Sequence, residues 1–192
     1  MDGGGALMNQ AIHSVDLLIW LMGPVAEISA HTATLAHERI EVEDVATATL
    51  KFENGALGVI EATTAAFPGT LKKIELQGSH GSATIVEEDI KSWEFAKMTA
   101  KDKKIAAEFA SVTETGGGAA DPSAIGHAAH ASQFRDVIKA IKKGTTPSID
   151  GAEGRRSVEV ILAIYKAAET GKAIKLPLAK DPILKAKKNT KS

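Results

Sequence analysis

DVATATLKFENGALGVIEATTAA, residues 44–66, decides how the rest of the chain reads. Two runs in which β-branched or apolar residues alternate with small and polar ones flank Glu53-Asn54-Gly55. Asn-Gly favours a hairpin turn because both residues accept positive φ. Upstream, VAEISAHTATLAH (25–37) keeps a period near two. Downstream, LKKIELQGSHGSATIVEED (71–89) repeats the pattern with Gly78 and Gly81 around a tight turn, and IKSWEFA (90–96) extends it. The spacing predicts a sheet of at least five or six strands, mostly antiparallel because the connections are too short for crossovers.

Helical spacing lies on both sides of this block. Leu7, Ala11, Val15, Leu18 and Ile19, widened by Ile12, Trp20 and Leu21, predict a helix over 6–22 that Gly23 and Pro24 stop. Phe134, Val137, Ile138 and Ile141 predict an inward face on a helix ending at Gly144. Val158, Ile161, Leu162, Tyr165 and Ala168 predict another after Asp150. AIKLPL (173–178) reads as an edge strand, and the segment 99–126, with its TETGGGAADPSAIG, reads as a surface loop. The order is one helix, a run of strands, two helices and a short strand. That segregation describes an α+β fold with helices on one face of a mainly antiparallel, open-faced sheet. The hairpin strands mix apolar, small and threonine residues on both faces, as in Thr47, Thr49, Leu57, Val59 and Ile60, and the face away from the helices needs company. We expect a homodimer through it.

Composition narrows the function classes. The 192 residues carry 44% hydrophobic and 24% charged residues and a formal net charge of −1, which fits one folded domain, taken as 1–178, and no overall attraction to nucleic acid. The lysine-rich 179–192 reads as a basic, disordered tail. There is no cysteine, so disulfides, thiolate metal sites and a cysteine nucleophile are excluded. The apolar run VDLLIWLMG is broken by Asp16 and too short to span a bilayer, and no secretory signal is legible. The expected setting is soluble and cytoplasmic, with no membrane and no nucleic-acid partner.

Chemistry concentrates in GGGALMNQAIHSVDLL, residues 3–18. The glycines do not read as a dinucleotide loop, because no strand and no parallel βαβ unit accompanies them. They permit close backbone approach and an abrupt start to the helix. Asn9 and His13, four residues apart, project from one side of that helix, with Asp16 near His13. An imidazole there can act as general acid or base, or serve as a hydrogen-bonded structural residue. His127 and His130, with Asp121 upstream, have helical ligand spacing but no evident third ligand, so no metal site is assigned. Trp20 and Trp93 read as packing residues, Glu43-Asp44 as a structural turn or strand edge, and Lys72 and Lys73 as exposed cations that could meet an anionic substrate.

Taken together, DGGGALMNQAIHSVDLLIWLMGPVAEISA, IEVEDVATATLKFENGALGVIEATTAAFPG, IELQGSHGSA and EGRRSVEVILAIYKAAETGKAIKL resemble, in order, the C-terminal domain of the Gfo/Idh/MocA oxidoreductases. Glucose–fructose oxidoreductase and inositol dehydrogenase belong to that family. The resemblance implies the open-faced sheet shared with the dihydrodipicolinate reductase C-terminal domain, a sugar or nucleotide-sugar substrate, and NAD or NADP held by a separate Rossmann domain. It implies His13 as the catalytic acid or base and Asn9 as its companion, at a position where many members carry aspartate. It also implies that Gly4, Gly5 and His130 line the substrate site. The form MNQ-IH looks most like members acting on nucleotide-linked amino-sugar uronates. Neither a Rossmann segment nor the family's Glu-Lys-Pro motif is present in these residues, so the chain is expected to bind no cofactor alone and to be incomplete for catalysis. The other reading is a stand-alone oligomerisation or sugar-binding module.

Overall fold

A computed structural model describes residues 4–87, 89–110 and 128–180. They divide into two compact units. The first takes in the described residues up to Gly69 and from Ile149 onward, and the second those between Thr70 and Ser148.

The first unit opens with a π-turn, Ala6–Ala11, that runs directly into α1, Ile12–Met22. The expected helix over 6–22 is therefore present but wound more loosely in its first part. Gly23, at φ 86°, ends it, and its N–H returns to the Ile19 carbonyl at 2.9 Å. Strands β1 (Val25–Ala33), β2 (Val45–Phe52), β3 (Leu57–Thr63) and β7 (Ile174–Lys175) form an antiparallel sheet in the order β3-β2-β1-β7. The short 173–178 segment is thus an edge strand, as its pattern suggests.

In the β2–β3 turn only Gly55 takes positive φ, at 88°. Asn54 contributes differently from the expectation. Its Oδ1 accepts from Ala56 N–H and its Nδ2 donates to the Met22 carbonyl, both at 2.9 Å, which ties the hairpin to the end of α1. Along β2 the side chains alternate strictly, with Ala46, Ala48, Leu50 and Phe52 buried and Thr47, Thr49 and Lys51 exposed. The buried row meets Leu7, Val15, Ile19 and the inner face of α4 (Gly151–Thr170) in one core.

Helix α4 starts at Asp150, whose carboxylate accepts from Ala152 and Glu153 N–H at 2.9 Å, and stops at the left-handed Gly171. Its buried face is Ser157, Val160, Ile161, Ala163, Ile164 and Ala167. That is rotated from the expected 158-161-162-165-168 stripe. Small residues at 163 and 167 let the helix lie close to the sheet, and Leu162 and Tyr165 fall on its flank. Trp20 is a correction of the same kind. It is 71% exposed, because α1 buries Val15 and Ile19 and the next residue points about 100° away.

In the second unit β4 (Lys73–Gly78), β5 (Gly81–Val86) and β6 (Asp89–Phe95) make an antiparallel meander, with Gly78 opposite Gly81 across the turn. The strands thus form two sheets, of four and three strands, where the sequence suggested one. The stretch between Thr63 and Lys73, containing Pro68 and Gly69, carries no ladder.

Helix α2, Ala100–Ala110, occupies part of the segment expected to be loop. Its start is a reciprocal cap: Asp102 accepts from Thr99 N–H and hydroxyl, while Thr99 Oγ1 accepts from Asp102 N–H. Those Thr99 bonds lead in holding the Asp102 carboxyl below its usual range, with smaller help from Trp93 and Lys101 against burial. Trp93 packs edge-on against Phe95 at 5.1 Å, as a packing residue should.

Helix α3, Ala128–Lys143, shows the expected apolar stripe, but Phe134 and Ile141 are 70% and 75% exposed and Val137 and Ile138 are also open. Periodicity fixes a face and not its cover. The glycine run at 116–118, Asp121 and His127 lie outside the described residues, as do Met1–Gly3 and 181–192.

Candidate functional site at the glycine-rich helix start

The start of the π-turn is held by one residue from far along the chain. Gly5, at its N-terminal boundary, is buried with φ −90°, a value any residue tolerates, and offers no side chain to cap the free amides of the first turn. Glu43 satisfies them instead. Its backbone carbonyl accepts from Ala6 N–H at 3.0 Å, and its Oε1 accepts from Leu7 N–H at 2.9 Å. The Tyr165 hydroxyl, arriving from the flank of α4, donates to the same Oε1 at 3.0 Å.

Glycine is needed at position 5 for space. A Cβ there would collide with the Glu43 carbonyl oxygen and carboxylate. At Gly4 a Cβ would press on the Met8 side chain. Burial, then the charge and hydrogen bond of Glu43, push the Tyr165 phenol well above its ordinary value, although the Gly5 and Met8 backbone pulls the other way.

Asp44 is the second anchor. Burial alone would raise its carboxyl, but N–H bonds from His37, Leu35 and Ala36, together with the His37 ring, outweigh it and hold the group far below the usual carboxylate range. The structural reading of Glu43-Asp44 agrees with these contacts. What the sequence did not disclose is that Glu43 reaches the glycine-rich start and Tyr165.

On this anchored segment Asn9 and His13 are both exposed, and among the described residues neither side chain makes a hydrogen bond. Asn9 lies within the π-turn, its N–H bonded to the Gly5 carbonyl at 2.9 Å, and His13 lies in the first turn of α1. An amide and an imidazole are thus open to solvent on one short segment, with Gly5 behind them buried against Glu43. Such a set can orient a polyol and exchange a proton with one of its hydroxyls.

His130 is exposed on α3. Lys72 pairs with Glu87 at 3.2 Å and Lys73 with Glu75 at 3.3 Å, so neither is a spare cation. No cluster suited to a metal ion occurs among the described residues.

Residues 1–84 match a family model described as the GFO/IDH/MocA C-terminal domain. Those residues belong to the GFO/IDH/MocA C-terminal-domain family.

Solved structures carry the likeness through the rest of the chain. The WlbA dehydrogenase from Bordetella pertussis, in complex with NADH and UDP-GlcNAcA, is 36% identical with a TM-score of 0.74, covering 91% of this chain and 47% of that one. The WlbA dehydrogenase from Chromobacterium violaceum, in the same type of complex, is 38% identical with a TM-score of 0.75, covering 92% and 47%. A curated relative, myo-inositol 2-dehydrogenase from Thermotoga maritima, is 26% identical over 177 residues, 90% of this chain and 49% of the relative. The chain therefore spans about half the length of these GFO/IDH/MocA proteins.

NADH in the WlbA complexes raises the question of whether these residues fit a dinucleotide. The start of the Ala6–Ala11 turn offers no phosphate cradle. Phosphate capture at a helix start needs free backbone N–H groups, and those of Ala6 and Leu7 are taken by Glu43. Every strand pairing among the described residues is antiparallel. Among the described residues no helix is long and apolar enough to cross a membrane.

Proposed function

We propose that this chain is the substrate-binding and dimerising part of an NAD(P)-dependent sugar dehydrogenase, acting on a nucleotide-linked amino-sugar uronate. His13 serves as acid or base at the sugar hydroxyl being oxidised, and Asn9 orients that hydroxyl. Oxidation of an alcohol must release its hydroxyl proton, and a neutral imidazole within reach accepts it. Asn9 cannot ionise, so its contribution is directional: its amide donates to one sugar oxygen or accepts from one hydroxyl. Gly4, only partly buried, lets the sugar ring come close to the backbone. The nicotinamide cofactor is held by other residues than those described.

The observation that carries this reading is the exposed amide–imidazole pair on a helix start fixed from below by Glu43. Similarity to the two WlbA enzymes, whose complexes contain UDP-GlcNAcA, supports the substrate class. The strict alternation of β2 supports the dimer, because it leaves Thr47 and Thr49 on an uncovered face, and β3 adds Leu57 and Val59, 79% and 73% exposed.

Calorimetric titration of UDP-GlcNAcA into the purified chain tests the proposal. Saturable binding that weakens at least about tenfold in His13→Ala is expected. Binding unchanged in His13→Ala would identify a sugar-binding module without this acid or base, and no binding in either protein would reject the substrate class.

A further inference from the structure

Among the described residues Asn9 and His13 have no side-chain hydrogen-bond partner, so their placement depends on the backbone beneath them. That backbone is unusual in two ways. It is a π-turn, a geometry that is rare and recurrent at functional sites. It also lacks a local cap, since Gly5 supplies no side chain and the two amides that open the turn both bond to Glu43.

The Glu43 side chain is itself buried, and its Oε1 is shared by Leu7 N–H and the Tyr165 hydroxyl. The three points come from distant parts of the chain: the turn before α1, the loop leading into β2, and the flank of α4.

We propose that Glu43 and Tyr165 are positioning residues for the Asn9–His13 pair. The buried carboxylate, steadied by the tyrosine hydroxyl, sets where the π-turn begins and therefore how the amide and imidazole are aimed. The proposal rests on reading Asn9 and His13 as the reactive pair. A shift in where the turn begins would change the aim of Asn9, within the turn, and of His13, just after it. With Ala6 and Leu7 both held, that slippage is blocked. Removing the Glu43 side chain releases the Leu7 amide and leaves the turn held only through Ala6 and the backbone carbonyl, whereas removing only the Tyr165 hydroxyl leaves the Leu7 bond in place but frees the carboxylate to swing.

NMR of the full chain, without ligand, tests this through Tyr165→Phe, Glu43→Ala and Glu43→Gln. We expect the Asn9 side-chain amide and His13 ring resonances to move in Tyr165→Phe and further in Glu43→Ala. Exchange of the Leu7 amide should quicken at least about tenfold in Glu43→Ala. Glu43→Gln keeps an acceptor oxygen and should bring both signals back toward wild type. If Glu43→Ala does not fold, Tyr165→Phe decides alone. Unmoved Asn9 and His13 resonances in a folded variant, even with a faster Leu7 amide, would overturn the proposal by making the tie purely structural.

The resonances are recorded without substrate. A failed His13→Ala binding test would sink the reactive-pair reading while leaving the resonances where Glu43 holds them, so the two failures are separable.

Discussion

Replacing Gly5 by alanine should cost this chain about 3 kcal/mol of stability, for a reason unrelated to backbone conformation. Gly5 is extended, with φ −90°, so alanine meets no left-handed penalty there. The obstacle is what lies against it. The added methyl would meet the Glu43 carbonyl oxygen and carboxylate. Neither is the free end of a flexible surface side chain, because the carbonyl is bonded to Ala6 N–H and the carboxylate to Leu7 N–H and the Tyr165 hydroxyl. To admit the methyl, the turn must move off Glu43. It then forfeits one neutral hydrogen bond of about 1 kcal/mol and one charge-assisted bond of about 1.5–3 kcal/mol. For a urea slope of about 2 kcal/mol/M, the unfolding midpoint should fall by about 1.5 M, read by circular dichroism.

Gly55→Ala provides the control. Its φ is +88° and nothing lies within 4 Å of the new methyl, so only the conformational cost of about 1 kcal/mol applies. A Gly5→Ala midpoint within about 0.3 M of wild type, or a loss no larger than that of Gly55→Ala, would refute the close-approach reasoning.

The same contacts set other outcomes. Asp44 has its carboxyl held below the ordinary value of 3.8, so its stabilising contribution is complete above that value and is lost as the pH falls toward the folded-state value. Acid titration followed by fluorescence should therefore show a shallower loss of stability below about pH 4 in Asp44→Asn, which starts from a less stable protein at neutral pH. His13→Ala, at an exposed position, should change the urea midpoint by less than about 0.5 kcal/mol equivalent while weakening sugar binding. Ile164→Ala, at a fully buried position on α4, should cost about 2–5 kcal/mol in the same denaturation assay. Val59→Lys, on the uncovered sheet face, should convert the proposed dimer to monomer in analytical ultracentrifugation without lowering stability comparably.

The parts of the fold legible in the sequence were those governed by local rules. Strict alternation placed β2 and its partner, Gly23-Pro24 marked the end of α1, and Gly78 and Gly81 marked a turn. What was missed depended on distant partners or on polar caps. Helix α2 has little apolar periodicity in AKDKKIAAEFA, but its Thr99-x-x-Asp102 cap was a readable signal. On α4 the alanines at 163 and 167, chosen by close packing on the sheet, outweighed the bulkier stripe read from hydrophobicity.

The candidate site divides the same way. Asn9 and His13 stood out by spacing and residue type, and both are exposed. Glu43, 36 residues from Leu7 and 122 from Tyr165, had no sequence signal tying it to them beyond an acidic pair before a strand.

The central claim, that the glycine-rich helix start is the sugar site, is tested most directly by NMR shift mapping with UDP-GlcNAcA on the isotopically labelled chain. Our account predicts saturable perturbations centred on Gly4, Gly5, Asn9 and His13. Perturbations centred instead on the second unit, around His80 and Lys97, or no perturbation at saturating sugar, would contradict it.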